Sequence, residues 1–348
     1  MAMVQPKTFP PAPAPHESRR TSGAARSLPA RLQQYWHVNP PLTVFGVSMI
    51  VFTLATLIGL ISDPRIIVGQ PAWLKPFKFG VSIAMYSFSI VWLLGFVQTR
   101  EPWAKKAVKL FTWIVIGVFI AETAPITIQV LRGTRSHFNV ETPLDAFLFG
   151  IMGVSITVLW VANLVLLAIL LKQRFDDRTL GWSLRLALTI TIIGMATGYL
   201  MTTPTPDQIA SWEAGAPVTI IGAHSVGAQD GGPGMPITGW STQGGDLRIP
   251  HFIGLHALQV IPLVGGWLSR RRALRPGQRL GLVWTFSLGY LGLVALLTWQ
   301  ALRGQPLLAP DALTLWAFAG LIIAAAVAVA LTLSPLGRNA GQRCAPVR

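Results

Sequence analysis

The chain has 348 residues, 52% of them hydrophobic and 12% charged, with a net charge of +15 and a single cysteine. One cysteine excludes an internal disulfide and a cysteine-ligated metal set. The 28 Lys and Arg are dispersed over short segments between apolar runs, so the charge reads as a mark of membrane topology, and no nucleic-acid partner is expected.

Residues 1–40 are rich in Pro, Ala, Ser and Arg and hold no apolar core like that of a signal peptide. They read as a disordered basic cytoplasmic tail, which makes the first apolar run an uncleaved signal anchor. Eight such runs follow: 42–62, 77–98, 107–130, 146–171, 182–202, 251–269, 281–301 and 312–334. A hydrocarbon core about 30 Å thick takes roughly 20 helical residues to cross, and each run is about that long. The expectation is an all-α membrane protein, an eight-transmembrane-helix bundle over 41–334, with 335–348 as a second cytoplasmic tail around Cys344.

Twenty of the Lys and Arg fall on one side of this scheme and seven on the other, with Arg185 just inside the fifth run. By the positive-inside rule both the N and C termini are cytoplasmic. Acidic residues go the other way, and Glu122 alone lies well inside an apolar run.

The loop 203–250 is the long one and falls on the outer side. Thr205, Pro206 and Asp207 start a short helix over Gln208 to Ala214, closed by Gly215. Val218 to Ile221 and Pro236 to Trp240 flank the turn-rich stretch Gln229 to Gly234, which permits a hairpin. The loop is either a lid over the outer mouth or a plain exposed connector.

The two halves of the chain share features. Ala55-Thr56 matches Ala196-Thr197, Pro76-x-x-x-Gly80 matches Pro250-x-x-x-Gly254, and Asp145-Ala146 matches Asp311-Ala312. They predict a parallel 4+4 helix repeat with the second and sixth helices facing each other near its axis.

Polar chemistry concentrates in two strings. In the first, Asp246 to Gln259, His256 and Gln259 share a helix face, and both cost energy in hydrocarbon unless they turn inward to partners. His251 lies about 140° around the helix from His256, a spacing that does not put two ligands on one face. The second string holds Gln129, Arg132, Arg135, Ser136, His137 and Asp145, with Glu122 two turns deeper and Pro125 freeing backbone carbonyls nearby. Candidates for a small-molecule ligand or proton site are Lys78, Glu122, Gln129, Arg132, Arg135, Ser136, Asp145 and Gln259. Candidate metal ligands are His137, His251 and His256, with imidazole suited to zinc or haem iron. Each has a plainer reading as well: Arg132 and Arg135 as headgroup anchors, Asp145 as a helix cap, Lys78 as a snorkelling lysine.

The strings Arg-Gly-Thr-Arg-Ser-His-Phe-Asn (132–139) and Gly-Asp-Leu-Arg-Ile-Pro-His-Phe-Ile-Gly-Leu-His (245–256) resemble a family of bacterial multi-pass integral membrane proteins. The resemblance implies the bacterial plasma (inner) membrane and no particular activity. Ser136, His137, Asp145 and His256 also resemble the Ser, Asp and His inventory of ceramidase-type membrane zinc hydrolases, although H-x4-H stands here in place of H-x3-H and the helix count differs. Three functions stay open: a metal- or haem-dependent redox or hydrolytic enzyme, a small-molecule or proton-coupled transporter, and a structural or assembly protein of the lipid bilayer.

Overall fold

The computed structural model describes residues 28–98 and 101–334. Eight helices among them are long and apolar enough to cross a membrane, and the protein is a helical, polytopic membrane protein. In chain order, α1 (Leu28–Val38) and α2 (Pro40–Ser62) precede a hairpin of β1 (Ile66–Ile67) and β2 (Gln70–Pro71). Next come α3 (Leu74–Leu94), α4 (Pro102–Leu131), α5 (Pro143–Lys172) and α6 (Arg178–Ala196). The long loop carries α7 (Gly198–Met201), α8 (Pro206–Glu213), β3 (Ser225–Val226) and β4 (Gly245–Asp246), and leads into α9 (Arg248–Ser269), α10 (Pro276–Leu302) and α11 (Ala312–Leu333).

Side chains cap several of these helices because their first N–H groups have no intrahelical acceptor. Asn39 accepts from Leu42 at 3.1 Å, Asp311 from Thr314 at 2.8 Å, and Asp177 from both Thr179 and Leu180. Proline at the first turn of α2, α4, α5, α8 and α10 removes one such donor and presets φ.

In lipid the helices gain little from mutual burial of apolar surface, so close packing through small residues brings them together. The α6–α9 crossing shows this: a Cβ on Gly194 would lie 2.5 Å from the Gly254 backbone, and Gly265 packs on Ser183. In the α2–α3 pair, Gly80 packs on Thr53 in the same way. One large cluster of buried apolar residues joins α2 through α6, including Leu42, Ile90, Val115, Leu166 and Leu184. At the periphery, α11 buries only Thr314, and Trp316 and Ile322 belong to its exposed apolar surface.

The stretch read as a disordered tail through residue 40 differs at its end, where α1 forms. Tyr35 stacks at a tilt on Phe88 with ring centroids 5.7 Å apart, and the Asn39 amide donates to Thr112 at 2.7 Å. An amphipathic helix this short leaves no long apolar run, which is why the hydropathy pattern passes over it. Residues 1–27 and the tail from 335 onward, with Cys344, lie outside the described residues.

In the long loop, α8 forms where the Thr205-Pro206-Asp207 signal puts it, with a reciprocal capping box between Thr205 and Gln208. The expected pairing of Val218–Ile221 with Pro236–Trp240 does not occur. Ile220 bridges Asn139 of the α4–α5 loop, Gly234 bridges Ser241, and β3 pairs antiparallel with β4. The Ile220–Asn139 bridge joins segments far apart in sequence, which local turn signals could not name, whereas Gly234–Ser241 and β3–β4 close within the loop itself. The loop also reaches its other neighbours: Gly231 packs on Val68 and Gly69 of the first hairpin, and Gly245 on the Ala301 backbone of α10. Gly227 lies on Gly304 of the α10–α11 connection, so the loop covers one end of the bundle, the long-loop end, and touches all three other interhelical connections there.

Candidate functional site

Glu122 lies nine residues before the end of α4, about 14 Å along the helix at 1.5 Å per residue. It is 4% exposed, and its carboxylate accepts no hydrogen bond from any described residue. Pro125 one turn on cannot donate to a carbonyl of this turn, while Thr123 and Thr127 bond back to the carbonyls of Phe119 and Thr123. None of these groups reaches the acid.

The charge that acts on Glu122 is Lys75, in the first turn of α3. Around Lys75 the charges are Glu122, then Arg248, Lys78 and Asp230. Lys75 and Glu122 are not in direct ion-pair contact, and the Lys75 ammonium makes no hydrogen bond to a described residue. A helix turn beyond Lys75 on the same face, Phe79 sets its ring edge-on to His137 at 6.0 Å.

His137 belongs to the α4–α5 loop, which the bridge to Ile220 fixes to the long loop. Its Nδ1 lies 3.3 Å from Ser136 Oγ. Phe138, in a left-handed conformation with φ of 66°, stands edge-on to Phe149 at 5.7 Å and to His224 at 4.8 Å. His224 comes from the long loop, and its Nδ1 is 2.8 Å from Asp230. The Asp230 carboxylate also accepts the backbone N–H groups of His224 and Ser225. It accepts only, so the proton of that contact sits on Nδ1, and His224 Nε2 is left as a lone-pair base.

Burial, then Lys75, then His224 push the His137 imidazole well below its ordinary value. His224 is also pushed down, by burial against the pull of Asp230. Burial pushes the Asp230 carboxyl up, but the bonds from the His224 ring and from two backbone amides prevail and hold it well below the usual carboxylate range. Near neutral pH the cluster thus has two neutral imidazoles and an ionised Asp230.

Two cations tie the long loop down over this cluster. Lys78 donates to the Thr238 carbonyl at 3.0 Å, and Arg248 donates to the Gly239 carbonyl at 2.7 Å while pairing with Asp246 at 2.5 Å. Gly239 and Ile237 both have positive φ, so the turn aims consecutive carbonyls at the two side chains.

The other sequence candidates have partners of their own. Asp145 accepts from Gln129 at 2.6 Å, from Arg132 at 2.5 Å and from Thr142 at 2.6 Å, a mutually satisfied set at the start of α5. Arg132 also donates to Gln129 Oε1 at 2.6 Å. Ser136 is buried beside His137, and Arg135 offers its backbone carbonyl to Asn139. His256 Nδ1 meets Gln259 at 3.1 Å, and the Gln259 amide donates to Ser89 of α3 at 2.9 Å. His251 Nδ1 lies 2.9 Å from the Gly194 carbonyl, so it fastens α9 to α6.

The charge of Lys75 thus bears on both Glu122 and His137, while His251 and His256 take separate partners on α6 and α9. Among the described residues no three His, Cys, Asp or Glu side chains are grouped as a metal set. Sequence reasoning passed over Lys75, His224 and Asp230. Lys75, three residues before Lys78 at the head of an apolar helix, carried a signal that reads equally as an interfacial anchor. His224 counted among the four histidines of the outer side but was given no role, and Asp230, six residues on in an irregular loop, left no signal. Compared with family models, with curated proteins and with solved structures, the chain matches none.

Proposed function

We propose that the protein is a transporter of a small polar solute, bound beneath the long loop between Lys75 and Glu122. One observation carries this reading. A carboxylate that is 4% exposed, inside an apolar span and without a hydrogen bond to any described residue, is a costly arrangement, and Lys75 at the head of α3 supplies the charge that bears on it. Groups kept in that condition serve a ligand or a proton. The loop acts as a gate fastened by Lys78 and Arg248, and the break at Thr197 between α6 and α7 supplies a hinge beside it.

The twenty-to-seven charge asymmetry supports cytoplasmic termini and an extracytoplasmic loop. The 4+4 repeat draws support from matching neighbours in the two halves, α2 with α3 and α6 with α9, then α4 with α5 and α10 with α11. The Gln259–Ser89 bond joins its two axial helices. The bacterial plasma membrane is the location implied by the two resembling strings.

A second reading, an enzyme using His224 as base, is favoured by the Asp230-oriented imidazole. Access to the site separates the two. In a Cys344→Ser background, Glu122→Cys is exposed to a membrane-impermeant thiosulfonate added to either face of proteoliposomes, with Thr123→Cys as the second reporter. Transport predicts modification from both faces, because the gate must open to each in turn. Modification from the long-loop face alone overturns transport in favour of the enzyme.

A further inference from the structure

The geometry points to a second site, separate from the one beneath the loop: a lateral window between α3 and α9 that takes the hydroxyl head of a membrane-dissolved lipid on His256 Nε2. Two bridges frame it. At the long-loop end, Lys78 of α3 and Arg248 of α9 donate to the consecutive carbonyls of Thr238 and Gly239. Deeper along both helices, the Gln259 amide of α9 donates to Ser89 of α3 at 2.9 Å. The bridges lie eleven residues apart on either helix, from 78 to 89 and from 248 to 259, about 16 Å at 1.5 Å per residue. Between them stand Ser82 and Met85 on one side, with Phe252 and His256 on the other. These side chains leave the window open: Ser82 is exposed, Met85 is 41% exposed and Phe252 42%. Phe252, Leu263 and Trp267 continue as an exposed apolar stripe along α9, a candidate membrane span, so the opening faces hydrocarbon.

The hydrogen bonds around His256 fix its proton. The Ser89 hydroxyl donates its one hydrogen to the Met85 carbonyl at 2.7 Å, so its oxygen accepts from the Gln259 nitrogen. Gln259 Oε1 is thereby turned to His256 Nδ1, 3.1 Å away, and a carbonyl oxygen only accepts. The ring proton therefore sits on Nδ1, and Nε2 carries a lone pair that no described donor meets. An unmet acceptor in a membrane span calls for a donor that itself dissolves in hydrocarbon. Acyl chains have none, whereas a hydroxyl on a lipid-soluble tail supplies one. Trp240 stands edge-on to Phe252 at 5.7 Å, and Phe252 edge-on to His256 at 4.2 Å, which gives the head an aromatic wall. The hydroxyl donates to Nε2 and the tail lies along the apolar stripe. Aliphatic lipid alcohols and long-chain phenols both carry this head, and neither makes or breaks a covalent bond on binding.

The test uses the full-length protein in nanodiscs with para-dodecylphenol, with dodecanol, and with the methyl ether of the phenol, which lacks only the donor. Native mass spectrometry counts bound molecules, and solid-state nitrogen NMR of histidine-labelled protein follows the His256 Nε2 resonance, assigned by its loss in His256→Phe. The expected result is one phenol per chain, the ether binding about tenfold more weakly, and an Nε2 resonance that the phenol displaces and the ether does not. Dodecanol bound as tightly as the phenol identifies aliphatic lipid alcohols as the ligand class; binding of the phenol alone identifies aromatic heads. His256→Phe is expected to lose the preference for phenol over ether. Met85→Trp, which fills the window from an exposed position and leaves the His256–Gln259 bond in place, is expected to lose phenol binding even if the first variant fails to fold. Equal binding of phenol and ether, an Nε2 resonance that the phenol leaves unmoved, or phenol binding unaltered in Met85→Trp overturns the inference. So does the absence of binding by both the phenol and dodecanol. Each of these outcomes is independent of whether Glu122→Cys reacts from one face or from both.

Discussion

Asp145 and Glu122 are both buried acids at 2% and 4% exposure, yet they do opposite things. Asp145 has three donors and Glu122 has none, and only the second is left with unmet bonding capacity. Asp145→Ala is therefore a stability mutation: it leaves Gln129 and Arg132 without their acceptor, and thermal melting in detergent should show a loss of about 2–3 kcal/mol. The His224–Asp230 pair gives the long loop a pH dependence. Both groups titrate lower in the folded protein than when free, so the folded loop binds fewer protons than the open one and acid favours opening. The His224 contribution is complete above its ordinary value of 6.5 and is lost as pH falls below it, with that of Asp230 following near the ordinary carboxylate range. The hydrogen-exchange protection factor over 224–240, corrected for the intrinsic exchange rate at each pH, should fall between pH 7 and about pH 5, and His224→Gln should flatten that part of the profile.

Among the elements, α9 does the most positioning, since it carries Arg248 to the loop, His251 to α6 and Gln259 to α3. Its fit on α6 depends on the Gly194–Gly254 contact, where backbone meets backbone. Gly254→Val forces the two helices apart and is expected to cost about 1–3 kcal/mol, read as a lower midpoint of thermal unfolding. Gly277, with nothing near its missing Cβ, is the control: Gly277→Ala should change the midpoint little. The spans themselves were legible because a run of some 20 apolar residues has few alternatives in a membrane chain. The short helix α8 was legible as well, since its capping box is local. The strand pairs were not. Ile220 finds Asn139 about 80 residues back, and no turn residue between them records that choice.

At the scale of the molecule, the charge distribution predicts an even number of crossings with both ends on the basic side. An alkaline phosphatase domain inserted after Gly215, an exposed left-handed position beyond α8, should be active when expressed in a bacterium, whereas one fused after Ser334 should not. Activity at both places would contradict the proposed orientation. The long loop and three short connections make one cover over that end of the bundle, so the proposed site draws on α3, α4 and two loops although no span contributes more than two of its charged residues.

The sequence by itself determined that this chain has eight segments long and apolar enough to cross a membrane, because hydropathy is additive along a single helix and needs no knowledge of neighbours. It also marked Glu122 as unusual, since a carboxylate inside an apolar run is anomalous wherever the helix packs. Which polar residues are satisfied and which are not was decided only by the tertiary structure. Gln129, Arg132 and Asp145 satisfy one another, His251 bonds the carbonyl of a neighbouring helix, and Glu122 is left without a hydrogen bond to any described residue. Hydrogen-bond capacity belongs to each residue, but its use is a property of pairs, and pairs form in space.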